Sequence, residues 1–203
     1  MSQRGDRWSG QHVAAQLLEQ IDHLVVAART LDEGAAWIEE RLGVAPVPGG
    51  KHALMGTHNR LLGLGPRVYL EVIAIDPDAP APARPRWFEL DTPRMRERLA
   101  QGPALIHWVV RTGSIEEDVQ RCPDPLEILS LARGDYRWRI GVAADGRLPC
   151  SGRCATLIQW EGNRHPGDNL PDSGCRLVEL DTAAELPKAR IATRLGIRGL
   201  PGE

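Results

Sequence analysis

The feature that most constrains this chain is an internal echo. Ile21-Asp22-His23-Leu24-Val25-Val26 returns 84 residues later as Ile106-His107-Trp108-Val109-Val110, another apolar run with one histidine in the same slot. Each run is followed by a second apolar run carrying a single polar residue. The first is Tyr69-Leu70-Glu71-Val72-Ile73 and the second is Leu157-Ile158-Gln159-Trp160. His23 and Glu71 are 48 residues apart, and His107 and Gln159 are 52 apart. A pattern repeated at this length predicts two copies of one structural unit. His, Glu, His and Gln in matching slots are nitrogen and oxygen donors that can be brought to one shared centre.

Composition narrows the partners. A formal charge of -2 gives no overall attraction to nucleic acid or to an anionic membrane surface. No apolar run approaches the ~18 residues that a membrane helix requires. The first eleven residues are polar and lack the apolar core of a secretion signal, so a cytoplasmic address is expected. The expected partner is a small-molecule substrate, with no nucleic acid and no membrane, and the chain is expected to be a monomer or homodimer. Cys122, Cys150, Cys154 and Cys175 are irregularly spaced and read as reduced thiols without a shared role.

Local signals give an order of elements. Residues 1–19 read as a lead-in that includes a short helix from about residue 11. Gln20 to Ala28 is a strand. Thr30 caps a helix to Leu42, with Asp32 and Glu33 in its first turn and Gly43 at its end. Leu31, Ala35, Ile38 and Leu42 form its apolar stripe. Val44 to Pro48 is a short edge segment, and Gly49-Gly50 opens a turn. Arg60 to Leu64 and Arg67 to Ile75 are strands joined at Gly65-Pro66. Module one thus covers 20–76, and a connector covers 77–103. Its stretch Pro77 to Pro85 holds four prolines and is stiff, and a short helix runs from Thr92-Pro93 to Leu99.

Module two, 104–161, repeats the order. Strands are expected at 105–111, 127–132, 136–142 and 155–160, a helix follows Ser114, and Asp145-Gly146 makes a turn. A loop and an extra strand fill 162–180. The remainder, 181–203, reads as a helix from Ala183 to Leu195 broken at Pro187, then a disordered tail. The span 20–180 is the main domain.

Asp22-His23-Leu24-Val25, the segment from Pro48 to Asn59 with Gly-Gly-Lys-His and Gly-Thr-His-Asn, and Tyr69 to Ile73 resemble the vicinal oxygen chelate superfamily. The resemblance is to its glyoxalase-like domain group. Tyr136-Arg137-Trp138-Arg139, Leu157 to Trp160 and His165-Pro166 extend it over about residues 20 to 180. It implies an α+β fold of two βαβββ modules, the glyoxalase/bleomycin-resistance/dioxygenase-like fold, with a C-terminal extension. It further implies one divalent metal ion and an enzyme of isomerase, epimerase, lyase or dioxygenase type, acting on a small oxygenated metabolite. Metal-free binding or sequestering proteins of the same fold are the alternative.

Strand alternation puts His23, Glu71, His107 and Gln159 on inward faces if the sheets curve around a cavity. Such a set suits Zn, Ni, Co, Mn or Fe(II). Metal-dependent glyoxalases, which this chain resembles, carry a basic Glu where Gln159 stands, while the related epimerases pair one Gln with one Glu. An amide cannot abstract a proton, so base duty is expected of Glu161, which shares Gln159's strand face, or of His58. His52 and Asn59 in the Gly-rich segment, with Arg139, are the expected substrate contacts. His52 and His58 also read as solvated loop residues, Asn59 as a turn-pinning side chain, and Arg137 and Arg139 as a solvated face. Trp108 and Trp160 are expected to face away from the cavity, against helices, and His165 is a loop residue without an expected role.

Overall fold

In the computed structural model, residues 20–184 and 186–200 are described. The expected lead-in at 1–19 and the residues after Leu200 lie outside them. The apolar run of the first repeat forms β1 (Ile21–Ala27), and every one of its residues is buried. Burial on both faces makes it a central strand. The α1 helix (Leu31–Leu42) follows: Thr30 accepts the Glu33 N–H at 3.1 Å, and Gly43, at a left-handed φ of 74°, donates to Glu39 O. Three strands complete the unit: β2 (Val47–His52), β3 (Thr57–Gly63) and β4 (Tyr69–Ile75).

The second copy repeats this order after α2 (Pro93–Ala100). It comprises β5 (Ala104–Arg111), α3 (Ile115–Gln120), β6 (Glu127–Arg133), β7 (Tyr136–Val142) and β8 (Thr156–Trp160). All eight strands form one mixed sheet in the order β2-β3-β4-β1-β5-β8-β7-β6. Within each copy the first strand runs parallel to the last, and the copies join where β1 and β5 pair antiparallel. The sheet curls into a half-barrel, and its edge strands β2 and β6 meet.

Each face carries its own core. On the helical face, Ile38 and Leu42 of α1 pack with Leu24, Val26, Leu70 and Val72. On the concave face, Val25, Ile73, Val109, Ile158 and Trp138 pack beneath Trp87 and Phe88 of the connector. The connector's proline-rich part is exposed as expected, but its end is core. Phe88 and Glu89 hold left-handed backbone (φ 56° and 59°) that turns the chain into the concave face. The Glu89 N–H bonds Gly146 O at 2.9 Å.

Four expectations are corrected. Gly49-Gly50 lies inside β2, where the register against β3 shifts between Pro48 and Lys51, so it is a bulge rather than a turn. The expected helix from Ala183 to Leu195 is instead a hairpin of a second, three-stranded sheet, made of β9 (Arg176–Asp181), β10 (Lys188–Thr193) and β11 (Gly196–Leu200). Buried Ala189 and Ile191 alternate with exposed Lys188 and Arg190, a period of two that suits a strand. Leu200, expected in a disordered tail, is buried with Cys175, Ala189 and Ile191 on the helical face. Cys150 and Cys154 form a disulfide, so they are not free thiols; Cys122 and Cys175 are free. Among the described residues no helix is long and apolar enough to cross a membrane.

Candidate functional site

The site begins with a defect in β1. Its register against β5 slips between Ile21 and His23, which leaves Asp22 as the extra residue of a bulge. A regular strand sends adjacent side chains to opposite faces. Here Asp22 Oδ1 and His23 Nδ1 are 2.7 Å apart. Asp22 is fully buried, and its other oxygen accepts the Trp160 Nε1–H at 2.9 Å and meets His165 Nε2 at 3.0 Å. The Arg111 guanidinium stands 3.6 Å away. Burial alone would raise the Asp22 pKa, but the hydrogen bonds and charges of His165 and His23 outweigh it and hold the carboxyl below the usual range.

These bonds fix two tautomers. The Gly167 N–H donates to His165 Nδ1 at 3.0 Å, so Nε2 is the nitrogen that donates to Asp22. The Asp22 carboxylate accepts the His23 Nδ1–H, which leaves Nε2 directed at Glu71. Tyr69, the partner of His23 in the β1–β4 register, stacks on its ring with centroids 4.7 Å apart. Burial raises the Tyr69 pKa well above its ordinary value, helped by the Asp22 and Glu71 charges, so its hydroxyl stays protonated.

Nε2 of His23 faces Glu71 Oε2 at 3.7 Å. Glu71 is 95% buried (5% exposed), and its Oε1 accepts the Asn59 amide N–H at 2.6 Å. His52 Nε2 lies 3.9 Å from the same oxygen, while its Nδ1 contacts Thr57 Oγ1 at 3.1 Å. Burial, together with Arg133, lowers the His52 pKa to about 4, so its ring is neutral at pH 7. The Asn59 Oδ1 accepts from the Gly50 N–H at 2.8 Å and from Arg133 Nη1 at 3.2 Å. Around this polar floor stand Trp87, Phe88, Trp138 and Trp160, enclosing a cleft of about 370 Å³ that includes its open mouth.

The cleft brings together His23, Glu71, His52 and Asn59 from the expected set. The others lie elsewhere. Gln159 points to the helical face, where its Oε1 accepts from the Ile115 N–H and from Arg139, each at 3.0 Å. Arg139 is beside it, paired with Glu116. Trp160 occupies the inward slot instead, because the concave face of β8 carries Ile158 and Trp160. Trp108 packs on the helical face as expected. Glu161 is exposed beyond the end of β8. His58 alternates outward with Arg60 and neighbours Asp76 at 4.0 Å. His107 does face inward, but its Nε2 accepts the Thr156 N–H at 3.1 Å and Phe88 covers its ring.

The expected four-donor metal set therefore does not fit. Gln159 is on the wrong face, and the Nε2 lone pair of His107 is committed to Thr156. His23 and His52 do flank Glu71, but Arg133 Nη1 stands 3.4 Å from His52 Nε2 and sets a fixed positive charge beside the nitrogen that would have to bind a cation. Among the described residues, no group of three or more His, Cys, Asp or Glu side chains is arranged to hold a metal ion.

Asp22, Arg133, Tyr69 and His165 were not among the expected site residues. For Asp22 a signal existed, since an acid inside a fully apolar strand run needs partners. His165 and Arg133 come from a loop and a strand end, and only the tertiary fold delivers them.

Comparison with known proteins gives one family. The family model of the glyoxalase-like domain matches residues 21–195. No curated protein matches the sequence. Among solved structures, methylmalonyl-CoA epimerase from Mycobacterium tuberculosis aligns at 16% identity and a TM-score of 0.44, covering 73% of this chain and 91% of that one. A Streptomyces coelicolor methylmalonyl-CoA epimerase in complex with 2-nitronate-propionyl-CoA aligns at 16% and 0.46, covering 72% and 98%. A hypothetical protein from Bacillus halodurans aligns at 12% and 0.44, covering 72% and 96%.

Proposed function

The chain belongs to the glyoxalase-like domain family, and we propose that its cleft is an active site that relocates a proton on a small oxygenated molecule. The observation that carries this reading is the pairing of His23 with Glu71. Nδ1 of His23 is tied to a buried carboxylate, and Nε2 faces Glu71 Oε2 at 3.7 Å in an aromatic-walled cleft. A lone buried His–Glu contact would serve packing; the Asp22 anchor adds orientation, which acid–base work requires.

In the proposed reaction a proton leaves a carbon next to a carbonyl and goes to Glu71. The negative charge that develops on the carbonyl oxygen is met by the His23 Nε2–H, a role that requires a ring protonated on both nitrogens, between the Asp22 and Glu71 carboxylates. Return of the proton to the same face of that carbon restores the starting molecule with hydrogen exchange, and return to a neighbouring atom isomerises it. No electrons are gained or lost. The apolar walls exclude water and strengthen both interactions.

The test is carbon-bound hydrogen exchange. The protein is placed in D₂O with small α-keto, α-hydroxy and carboxylic compounds, and proton NMR follows the loss of C–H signals. Exchange is expected with at least one compound, to survive a chelator, and to fall about 100-fold or more in Glu71→Gln and in His23→Gln. Compounds that bind without any exchange would instead identify a sequestering protein of the same fold.

A further inference from the structure

We infer that the molecule taken by this cleft is a small carboxylate, and that Arg133 is the residue that holds its charge. This rests on the cleft being the functional site, as proposed above, but not on the proton chemistry. Among the described residues, Arg133 is the one arginine that lines the cleft. Its side-chain partners are the Asn59 carbonyl oxygen and the His52 ring, both uncharged, and among the described residues it forms no ion pair. Arginines elsewhere on the surface, such as Arg60, Arg121 and Arg176, each meet a carboxylate. An arginine left unpaired inside an aromatic enclosure has its planar fork available for an incoming carboxylate.

The chain makes specific room for it. Arg133 ends β6, the outer strand of module two, and crosses to β2, the outer strand of module one. There it lies over Gly50, where an added Cβ would come within 2.6 Å of Arg133 Cδ. At Gly49 an added Cβ would collide with the Asn59 side-chain amide. The Gly-Gly bulge is thus the seat of both groups. The Asn59 amide then separates the cation from the base, with its oxygen toward Arg133 and its nitrogen on Glu71. A substrate anchored at Arg133 shares the cleft with Glu71 without Arg133 and Glu71 neutralising each other.

The rest of the lining selects among anions. Among the described residues Arg133 is the only lining residue with a fixed positive charge, and Glu71 adds a carboxyl group nearby, an arrangement that suits a singly charged carboxylate better than a phosphate. Trp87, Trp138 and Trp160 offer flat apolar surfaces for the remainder of the molecule.

Binding is measured by tryptophan fluorescence and thermal shift, with monocarboxylates of two to ten carbons, including benzoate, phenylacetate and phenylpyruvate. Each is compared with its uncharged amide, and phenylphosphonate is included. Saturable binding is expected for at least one carboxylate, at least tenfold tighter than its amide and tighter than the phosphonate. Arg133→Met should weaken that carboxylate tenfold or more and leave the amide unchanged, while Arg133→Lys should recover part of the loss. Gly50→Ala, which keeps the charge and meets only a flexible side chain, should weaken it too while circular dichroism stays that of the parent. The inference is overturned if no carboxylate outbinds its amide, if the phosphonate binds best, or if Arg133→Met leaves carboxylate affinity intact. The same titration in Glu71→Gln separates the two readings. Arg133-dependent binding without any hydrogen exchange would sink the proton chemistry alone, and exchange restricted to uncharged compounds would sink the carboxylate alone.

Discussion

His107 and His23 begin from the same slot of a repeated strand and end in opposite circumstances. His107 is fully buried, its Nε2 accepts a backbone N–H, and its Nδ1 has no hydrogen-bond partner among the described residues; burial lowers its pKa to about 3. His52 is lowered to about 4, also chiefly by burial. Both values are below the ~6.5 of an unfolded histidine, so between about pH 6.5 and pH 4 the unfolded chain binds more protons than the folded one. Stability should therefore fall on acidification, by about 1.4 kcal/mol per pH unit for each ring. Urea denaturation at pH 7 and pH 5 measures this, and His107→Gln, whose amide oxygen can take the Thr156 N–H, should remove roughly half of the dependence. Asp22 does not contribute in that window. Its lowered pKa gives stability that is present above the unfolded carboxylate value and is lost only in stronger acid. Asp22→Asn should nonetheless cost about 3 kcal/mol or more, because it strips the charge from a buried carboxylate facing two histidines. Hydrogen exchange should then fall even under conditions where the variant remains folded. His23 and Glu71 were legible in the sequence as single polar residues in apolar runs. Their partners were not, since nothing local marks Arg133 or His165.

Two bulges, at Asp22 and at Gly49-Gly50, carry the site, and both show what periodicity can and cannot reveal. Strand alternation finds the face of a regular strand, but one extra residue reverses every parity beyond it. In β8 the repeat aligns Gln159 with Glu71, but Ile158 and Trp160 are the residues that face the cleft. The first helix was fully legible, because a capping threonine, an apolar stripe and a terminal glycine all agree. The alanines and charged residues after Ala183 suit a helix locally, while the alternation of Ala189 and Ile191 against the core decides for a strand. Helix packing supplies its own prediction. A Cβ on Gly34 would collide with Val72 Cγ1 of β4 and come within 2.9 Å of Ala28 Cβ. Gly34→Ala gains helix propensity but overpacks this contact, so a net loss of about 1–2 kcal/mol is expected in thermal or urea unfolding. An unchanged or raised midpoint would show that α1 can shift freely on the sheet.

At the scale of the molecule, duplication was the part most plainly written in the sequence, and the eight-stranded half-barrel follows from it. What the repeat could not show is that the two halves have diverged in role. Module one supplies Asp22, His23, His52, Asn59 and Glu71, while module two supplies Arg133 and the Trp138 and Trp160 walls. The second sheet is bound to module one, with Leu177 N bonding Leu64 O at 3.1 Å and Leu200 and Ile191 buried in the helical-face core. Removing residues 182–203 should therefore lower the unfolding midpoint of the whole chain rather than trim an appendage, and a truncated chain that melts like the parent would contradict this. The central claim is that Asp22 holds the His23 ring so that Nε2 is the nitrogen presented to Glu71. Nitrogen-15 NMR of the His23 ring across pH 4 to 9 tests it most directly. Nδ1 should carry the proton held by Asp22, with Asp22→Asn changing the Nδ1 signal and Glu71→Gln the Nε2 signal. A ring whose Nδ1 loses its proton, or which ignores both Asp22→Asn and Glu71→Gln, would contradict the account.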